Sequence, residues 1–398
     1  MVFPVVFWVC LAVGFYCYAG YPLLLAAIAA MKRPDRDSGD AGTAPTVTLL
    51  ISALNEEDVI ARKLENSLQL AVPGPLLQIL VATDGSDDRT AAIVESFADR
   101  GIELSHHPER RGKMAAINRA MPQVRGEIVV FSDANNMFEP DALVELVKPF
   151  ADATVGAATG SKRIIVGDGP LGESEGLYWR YEAAIMKNET KLGSCTAAIG
   201  EMLAVRRDLY EAPPDRIIND DFFMIMRMLR RGRRVVHVHS ARSFERVSAS
   251  AQAEIARRIR MAAGRYQALS LSSHLLSWEQ PLIAWQVISH KFLRLFIPFA
   301  MLGALVSVVA AAVLPQVRGG SPFWGLNPPW VWAFLILHVG FYGAALLGRV
   351  LPGKGKLGKL LYLPTFLVNS NTAILLGFFR FASGKQTVIW DRVERQAP

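Results

Sequence analysis

The segment Val129-Val130-Phe131-Ser132-Asp133-Ala134-Asn135 decides the fold, because it joins an apolar run directly to a carboxylate. Three consecutive β-favouring apolar residues are typical of a central parallel strand that is covered on both faces. Asp133 then falls at the end of that strand, where the ligands of open α/β sheets collect. A single carboxylate, Asp133, with Asn135 and Asn136 just beyond it, is compatible with a site for a hard cation and a phosphate. The alternative is that Asp133 caps the next helix, and the segment alone leaves both interpretations open.

Strand and helix patterns alternate on either side of this segment. We expect strands over residues 47–53, 78–83 and 102–106, and helices opened by Asn55, by Asp87 or Asp88, and by Arg111-Gly112-Lys113. This alternation implies a parallel, doubly wound sheet. Asp84 also falls at a strand end, and a second carboxylate in that place favours a ligand site over a helix cap.

Apolar blocks flank the charged part of the chain. The blocks without any charged residue are 1–31, 295–317, 319–348 and 361–379. An uncharged apolar stretch of about 20 residues is a transmembrane candidate, whereas the charged region between the first two blocks is large enough for one α/β domain. We therefore predict an N-terminal transmembrane helix over 1–31, a globular domain over 44–275, and an interfacial helix plus a C-terminal transmembrane region over 278–398.

The net charge of +7 is compatible with nucleic-acid binding, but the position of the basic residues favours another explanation. Lys32, Arg33 and Arg36 directly follow the first apolar block, as the positive-inside rule expects for a cytoplasmic flank. We predict a multi-pass protein of the inner (plasma) membrane, in contact with membrane lipids, with a cytoplasmic globular domain and no nucleic-acid partner. The three cysteines show neither metal-ligand spacing nor a disulfide framework, in agreement with a reducing compartment.

Short motifs spread over the whole globular region resemble those of family 2 glycosyltransferases. The donor-side motifs are Ala53-Leu54-Asn55-Glu56-Glu57, Asp84-Gly85-Ser86, Gly112-Lys113 and Asp133-Ala134-Asn135. Gly193-Ser194, Asn219-Asp220-Asp221 and Arg257-Arg258-Ile259-Arg260-Met261 resemble the family's acceptor-side loop, its Thr-Glu-Asp motif and its Gln-x-x-Arg-Trp motif. Each motif is weak alone, but their common order is specific. The resemblance implies an α/β fold of the GT-A type, a doubly wound mixed sheet (Rossmann-like) flanked by N- and C-terminal transmembrane helices.

The resemblance also implies roles for individual residues. It assigns donor binding to Ala53, Asn55, Glu57, Asp84, Lys113, Asp133, Arg257 and Arg260, and acceptor contacts to Gly193 and Ser194. Asp84 would accept hydrogen bonds from a uracil or ribose, and the two arginines would clamp the leaving diphosphate. Arg257 and Arg260 lie on a helix that is predicted to begin at about Ala251. A basic face that contacts anionic lipid headgroups is the alternative role for these arginines.

A divalent cation, Mg²⁺ or Mn²⁺, is the expected cofactor. The resemblance assigns its ligands to Asp133 and Asn135. Asn135 stands where the family has a second carboxylate, so the site carries one negative charge fewer. An amide oxygen is still a ligand that hard cations accept.

Asp221 is the candidate general base, and Asp220 the residue expected to steer the acceptor. Both precede the apolar run Phe222-Phe223-Met224-Ile225-Met226, which predicts a partly buried helix start. A carboxylate with restricted solvent is expected to have a raised pKa, which suits a base. The alternative is a pair of acids that only stabilises the positive end of the helix dipole.

The resemblance implies an inverting glycosyltransferase that transfers a sugar from a nucleotide-diphosphate donor, a UDP-sugar, to a lipid-linked or polysaccharide acceptor. A transporter or scaffold with an inactive nucleotide-binding domain is the alternative, which Asp84, Asp133 and Asp221 disfavour. A nucleotidyltransferase is also conceivable, although nothing resembles its Gly-rich start. Met261 replaces the family's Trp, which argues against assuming a processive polymer synthase.

Overall fold

The chain divides into two compact units in a computed structural model. The model describes residues 2–32, 44–72, 74, 77–165, 169–246, 251–276, 278–350 and 356–385. We call Leu25–Ala253 with Gln267–Ala284 the α/β unit, and Met1–Leu24, Glu254–Tyr266 and Trp285–Lys385 the helical unit. The predicted domain limits, 1–31, 44–275 and 278–398, stay predictions.

One eight-stranded sheet forms the centre of the α/β unit. Its strands are β1 (Val47–Ala53), β2 (Leu77–Thr83), β3 (Ile102–Ser105), β4 (Ile128–Asp133), β5 (Met137–Phe138), β6 (Val155–Ile164), β7 (Leu203–Arg206) and β8 (Arg234–Glu245). They lie in the order β3-β2-β1-β4-β7-β6-β8-β5. Strands β1 to β4 are mutually parallel, whereas β7 runs antiparallel to its neighbours β4 and β6, so the sheet is mixed, as predicted.

Strand β4 is the central strand that its sequence predicts. It pairs with β1 on one side and with β7 on the other, and all of its residues are buried except the partly exposed Asp133. Every residue of β1 is buried as well. Because Ser52 of β1 pairs with Asp133, the two strands end at nearly the same level, and their polar ends share one edge of the sheet.

The helices of the α/β unit cover this sheet. They are α3 (Ile60–Leu68), α4 (Thr90–Glu95), α5 (Lys113–Ala120), α6 (Ala142–Val147), α7 (Gly169–Leu192), α8 (Asp220–Arg230) and α10 (Ser272–Leu275). Ile60 and Leu64 of α3 and Leu143 and Leu146 of α6 belong to the apolar cluster that includes Val130 of β4. These helices cover one face of the sheet. Because every residue of β1 is buried, the opposite face is covered as well, which explains why the strands read as continuous apolar runs.

Helix α3 begins later than the sequence predicts. It starts at Ile60, and its N-cap residue makes no side-chain capping bond. Asn55, the expected cap, has φ 54° and exchanges hydrogen bonds with Asp87 of the neighbouring loop, at 2.5 and 3.0 Å. Asn55 therefore joins two loops and caps no helix. The N-cap residue of α4 is Arg89, without a side-chain capping bond, whereas the predicted cap Asp88 stands one residue earlier and accepts a bond from the backbone N–H of Thr90 at 2.9 Å.

Helices make up most of the rest of the described chain. They are α1 (Val2–Phe15), α2 (Tyr21–Met31), α9 (Ala251–Ser270), α11 (Pro281–Val287), α12 (Ile297–Val313), α13 (Trp330–Val350) and α14 (Lys356–Ala382). Within the described residues, four helical segments are long and apolar enough to cross a membrane: Val2–Met31, Pro281–Val313, Trp330–Val350 and Leu360–Ala382. The prediction of N- and C-terminal transmembrane helices is confirmed at this level.

The segment expected to form a separate interfacial helix is continuous with the helix that follows it. Pro281–Val313 is one candidate span of 33 residues, joined by a π-helical turn at Ile288–Phe292. Trp285 donates a hydrogen bond to Tyr16 at 2.9 Å, and His290 is fully buried. The indole of Trp285 is therefore bonded inside the helical unit, and the interfacial helix predicted in this region stays a prediction.

Helix α14 carries three consecutive polar residues in an otherwise apolar run, and each contacts a different element. Asn369 accepts hydrogen bonds from Arg349 of α13, and Ser370 accepts one from Arg258 of α9 at 2.5 Å. Asn371 donates to the hydroxyl of Tyr18 at 2.9 Å. Successive residues of a helix point in different directions because it makes one turn in 3.6 residues. The three polar residues therefore bond α14 to three different elements, as polar side chains do between membrane helices.

Helix α14 packs closely against α9 at Gly377. A Cβ at this position would lie 2.6 Å from the Cβ of Ala262 and 3.0 Å from the backbone nitrogen of Ala263. We expect Gly377→Ala to lower the free energy of unfolding by about 1–3 kcal/mol, the usual cost of overpacking. The measurement is the melting temperature in detergent.

Gly340→Ala is the matched control, because no atom lies within 4 Å of a Cβ built at Gly340 of α13. Alanine is the better helix former, so this variant should melt at or above the wild-type temperature. Equal melting temperatures for the two variants would contradict the close packing of α14 on α9.

Candidate functional site

Charged side chains from β4, α5 and α8 meet at the carboxyl edge of the sheet. The ammonium of Lys113 donates a hydrogen bond to Asp133 Oδ1 at 2.7 Å and lies 3.9 Å from Asp220 Oδ2. Ser52 Oγ, from the neighbouring strand, donates to the same Asp133 oxygen at 3.2 Å. The sequence places these residues far apart, whereas the order of the strands brings them together.

The charge of Asp133 is stabilised by its neighbours. Burial raises the pKa of Asp133, but Lys113 and the hydroxyl of Ser52 outweigh burial and hold the pKa below its usual range. Burial likewise lowers the pKa of Lys113, whereas the charges of Asp133, Asp220 and Asp221 raise it above its usual range. The site therefore holds an ammonium and an ionised carboxylate across the physiological pH range.

Asp220 and Asp221 open helix α8, as the sequence predicts. The next turns are buried at Phe223, Met224 and Ile225, so the helix start is fixed against the core while both carboxylates stay partly exposed. Two acids in the first turn also interact favourably with the positive end of the helix dipole. This arrangement supplies a carboxylate that is positioned by the fold and still reachable by an acceptor.

Asp84 holds the loop that presents Lys113. It is 1% exposed, and its two oxygens accept hydrogen bonds from the backbone N–H groups of Arg111, at 3.0 Å, and of Gly112, at 2.6 Å. The following residue, Gly85, has φ 64°, and a Cβ there would lie 2.6 Å from a backbone nitrogen, so the turn requires glycine. The contact predicted between Asp84 and a uracil or ribose stays a prediction.

The other predicted donor-side residues lie at the same edge. Ala53 is the last residue of β1, and the backbone N–H of Asn55 donates to Ser86 Oγ at 3.1 Å. Glu57 receives a hydrogen bond from the side chain of Arg89 at 3.0 Å. These bonds fasten the loop after β1 to the loop after β2, where a nucleotide would have to be accommodated.

Gly193 and Ser194 lie elsewhere on the sheet. Ser194 Oγ accepts a hydrogen bond from the backbone N–H of Val235, near the start of β8. The register through β6 and β7 places Val235 level with Val129, four residues before Asp133 in a parallel strand. At about 3.3 Å per residue this is about 13 Å from the level of Asp133. The acceptor role predicted for Gly193 and Ser194 stays a prediction.

The segment that does reach the edge is the short 3₁₀ turn Gly200–Met202, which the sequence analysis missed. Strand β7 begins directly after it, with Leu203 paired to Phe131, so the turn lies level with the end of β4. A Cβ at Gly200 would lie 3.2 Å from the Cβ of Asp221. The backbone of this turn therefore forms one wall beside the candidate base.

Arg257 and Arg260 belong to the helical unit, on α9. The guanidinium of Arg257 donates two hydrogen bonds to Glu254 of the same helix, at 3.0 and 2.8 Å, and Arg258 donates one to the same carboxylate. The diphosphate clamp predicted for Arg257 and Arg260 stays a prediction.

The donor set around Asp133 fits a hard divalent cation. Asp133 Oδ2 makes no hydrogen bond within the described part of the chain, and Asn135 is partly exposed two residues further on. In that same part of the chain no three His, Cys, Asp or Glu side chains are grouped as a metal cage. Mg²⁺ commonly uses one or two carboxylates and takes its remaining ligands from water and substrate phosphates, so such a site requires no cage.

The α/β unit has a mixed sheet with carboxylates at its strand ends, and the described part of the chain contains four candidate membrane spans. Residues 48–212 match the family model Glycosyl transferase family 2. The resemblance to family 2 glycosyltransferases is therefore confirmed over these residues, which are less than half of the chain.

Two curated relatives match part of this domain. The probable glycosyltransferase YdaM of Bacillus subtilis (strain 168) is 34% identical over 127 residues, which are 30% of this chain and 30% of that protein. The beta-monoglucosyldiacylglycerol synthase of Synechocystis sp. is 33% identical over 155 residues, 36% of this chain and 32% of that protein. The chain thus spans about a third of the length of these relatives.

A solved structure resembles the chain over nearly its whole length. The mannosyltransferase PcManGT from Pyrobaculum calidifontis, determined with GDP-Man and Mn²⁺, superposes with a TM-score of 0.71 at 23% identity. The match covers 96% of this chain and 99% of that one. At this identity the likeness establishes the fold, including the predicted GT-A class.

Proposed function

We propose that this protein is a membrane-bound inverting glycosyltransferase that transfers a sugar from a nucleotide-diphosphate donor, a UDP-sugar, to a lipid-linked or polysaccharide acceptor. The observation that carries the proposal is the convergence of Asp133, Asp220 and Asp221 on Lys113 at the carboxyl edge of the sheet. A diphosphate leaving group needs cationic partners, an acceptor hydroxyl needs a base, and this edge supplies both kinds of group.

In this mechanism Asp221 takes the proton of the acceptor hydroxyl while the acceptor oxygen bonds to the anomeric carbon of the sugar. The bond from that carbon to the phosphate oxygen breaks, and the nucleoside diphosphate leaves with the electron pair. Attack opposite the leaving group inverts the configuration. Lys113 contacts the diphosphate as a charged hydrogen-bond donor, and Asp220 orients the acceptor.

A divalent cation, Mg²⁺ or Mn²⁺, is part of the proposal. Asp133 and Asn135 would hold it, and when bound it would neutralise charge on the leaving diphosphate. The excess of carboxylates over ammonium groups around Lys113 supports this, because it leaves negative charge that the lysine does not balance. The Mn²⁺ found with the mannosyltransferase of the same fold is in agreement.

The acceptor and the location follow from the membrane helices. We propose that the acceptor is lipid-linked, an inference that the name of the glucosyldiacylglycerol synthase relative supports, and that a growing polysaccharide is the alternative. The catalytic domain would face the cytoplasm, where nucleotide sugars are made, because basic residues such as Lys32 follow the first span.

Asp221→Asn should abolish transfer and leave donor binding nearly intact. The change keeps the size of the side chain but removes the charge that accepts the proton, so kcat should fall about a hundred- to ten-thousand-fold. A helix-cap role predicts little change, because Asn caps as well as Asp. The assay compares transfer, donor affinity and melting temperature for Asp221→Asn and Asp220→Asn.

The two variants distinguish the two acids. Normal transfer by Asp221→Asn together with an inactive Asp220→Asn would reassign the base to Asp220. Normal transfer by both would end the case for this pair as catalytic residues.

Nucleotide binding should depend on Asp133 and on a divalent cation. We expect Asp133→Ala, or an excess of chelator, to weaken the affinity for the nucleoside diphosphate at least tenfold, because the cation loses its protein carboxylate. Isothermal titration with and without Mn²⁺ measures this. Asp99→Ala, which removes an exposed carboxylate outside the site, is the control and should bind normally. Full affinity of Asp133→Ala in the presence of Mn²⁺ would place the cation elsewhere.

A further inference from the structure

Asn136 is a fully buried polar side chain just beyond the Asp133 turn, and the family resemblance assigns it no role. Its Oδ1 accepts hydrogen bonds from Ser132 Oγ at 3.0 Å and from Lys63 Nζ at 3.4 Å. Its Nδ2 donates to the backbone carbonyl of Glu201 at 2.9 Å. Buried amides bonded on both sides hold the segments they connect at a fixed separation, because breaking either bond leaves a buried polar group unpaired.

Helix α3 fixes one side of this arrangement. Lys63 is fully buried, and its ammonium donates to the backbone carbonyl of Asn136 at 2.7 Å while lying 4.2 Å from the centre of the Phe138 ring. Burial lowers the pKa of Lys63 to about 7, against the opposing charges of Asp133 and Glu201. One turn further along α3, Asn66 exchanges two hydrogen bonds of 2.9 Å with the backbone of Phe138.

The turn Gly200–Met202 lies on the other side. Glu201 offers its carbonyl to Asn136, and the adjacent Gly200 lies against Asp221. Thr159 of β6 fixes the ends of the same turn, because its hydroxyl donates to Met202 O at 3.2 Å and accepts from Ile199 N at 2.9 Å. The Asn136–Glu201 bond is therefore a direct link from the Asp133 turn to the backbone wall beside Asp221.

We propose that Asn136 is a positioning residue that fixes the separation between the donor-side turn at Asp133 and the acceptor-side wall at Gly200–Met202. The inference rests on the proposed function, in which Asp133 serves the donor and Asp221 the acceptor. In-line transfer requires the two reactants to be held together, and a misplacement of about 1 Å can reduce the rate about a hundredfold. Asn136 contacts no substrate in this account and acts through the two segments it joins.

Asn136→Asp breaks this link selectively. The new carboxylate still accepts from Ser132 and Lys63, but it replaces the N–H donor with an oxygen that faces the carbonyl of Glu201. Asn66→Asp is the matched control, because it loses the equivalent N–H bond to a backbone carbonyl, that of Phe138, at the same distance of 2.9 Å. The control loosens the segment held by α3 and leaves the link to Glu201 in place.

The first measurement is independent of activity. Hydrogen exchange of the backbone amides at Gly200–Met202 should become at least tenfold faster in Asn136→Asp than in Asn66→Asp, when both are compared with wild type. Equal exchange of this turn in the two variants would overturn the inference. If Asn136→Asp does not fold, Asn136→Ser removes the same donor without adding a charge, and Asn66→Ser becomes its control.

The second measurement separates transfer from donor hydrolysis, by comparing released nucleoside diphosphate with sugar recovered in the acceptor. Asn136→Asp should lower kcat for transfer about ten- to a hundredfold and raise hydrolysis relative to transfer, with the KM for the donor within about threefold of wild type. Asn66→Asp should keep the wild-type ratio. Equal losses in both variants, or normal transfer by Asn136→Asp, would show a merely structural role.

A wild-type protein that releases no nucleoside diphosphate from any sugar donor would contradict the proposed function instead. The exchange measurement would still decide whether Asn136 holds the turn Gly200–Met202 in place.

Discussion

The arrangement of the site depends on one ammonium group, that of Lys113, placed among carboxylates from β4 and α8. Asp133, Asp220 and Asp221 all raise the pKa of this lysine, and Lys113 in turn helps to hold the pKa of Asp133 below its usual range. Removing one partner of such a buried group is strongly destabilising, because the remaining charge loses its compensation. Asp84 is part of the same constraint, since it fixes the loop from which Lys113 projects.

The parts that the sequence predicts are those governed by local pattern and strand order. The continuous apolar runs of β1 and β4 indicate central strands, and the position of Asp84 and Asp133 after such runs places both at one edge. The apolar blocks predict the helices that are long and apolar enough to cross a membrane, because that property depends only on length and on the absence of charge. Asp220 and Asp221 also lie in the first turn of α8, as the apolar run that follows them predicts.

The misses share a physical cause, which is that tertiary hydrogen bonds override local preference. Asn55 is a residue type that commonly caps helices, but its side chain bonds to Asp87 of another loop, and α3 begins only at Ile60. Lys63 of α3 is charged and yet fully buried, where its ammonium donates a hydrogen bond to the backbone carbonyl of Asn136. The partner of Asn136 lies 65 residues away in the chain, a separation that no local pattern reveals.

In the proposed function, the groups at this edge of the sheet promote cleavage of the bond between sugar and nucleoside diphosphate and transfer of the sugar to an acceptor. The most direct test is to incubate the purified protein with UDP- and GDP-sugars, a lipid extract and Mn²⁺, and to measure released nucleoside diphosphate beside the anomeric configuration of the product. We expect release from at least one donor, strictly dependent on added acceptor, and a product of inverted configuration. Absence of release from every donor, or a product that retains the donor configuration, would contradict the account.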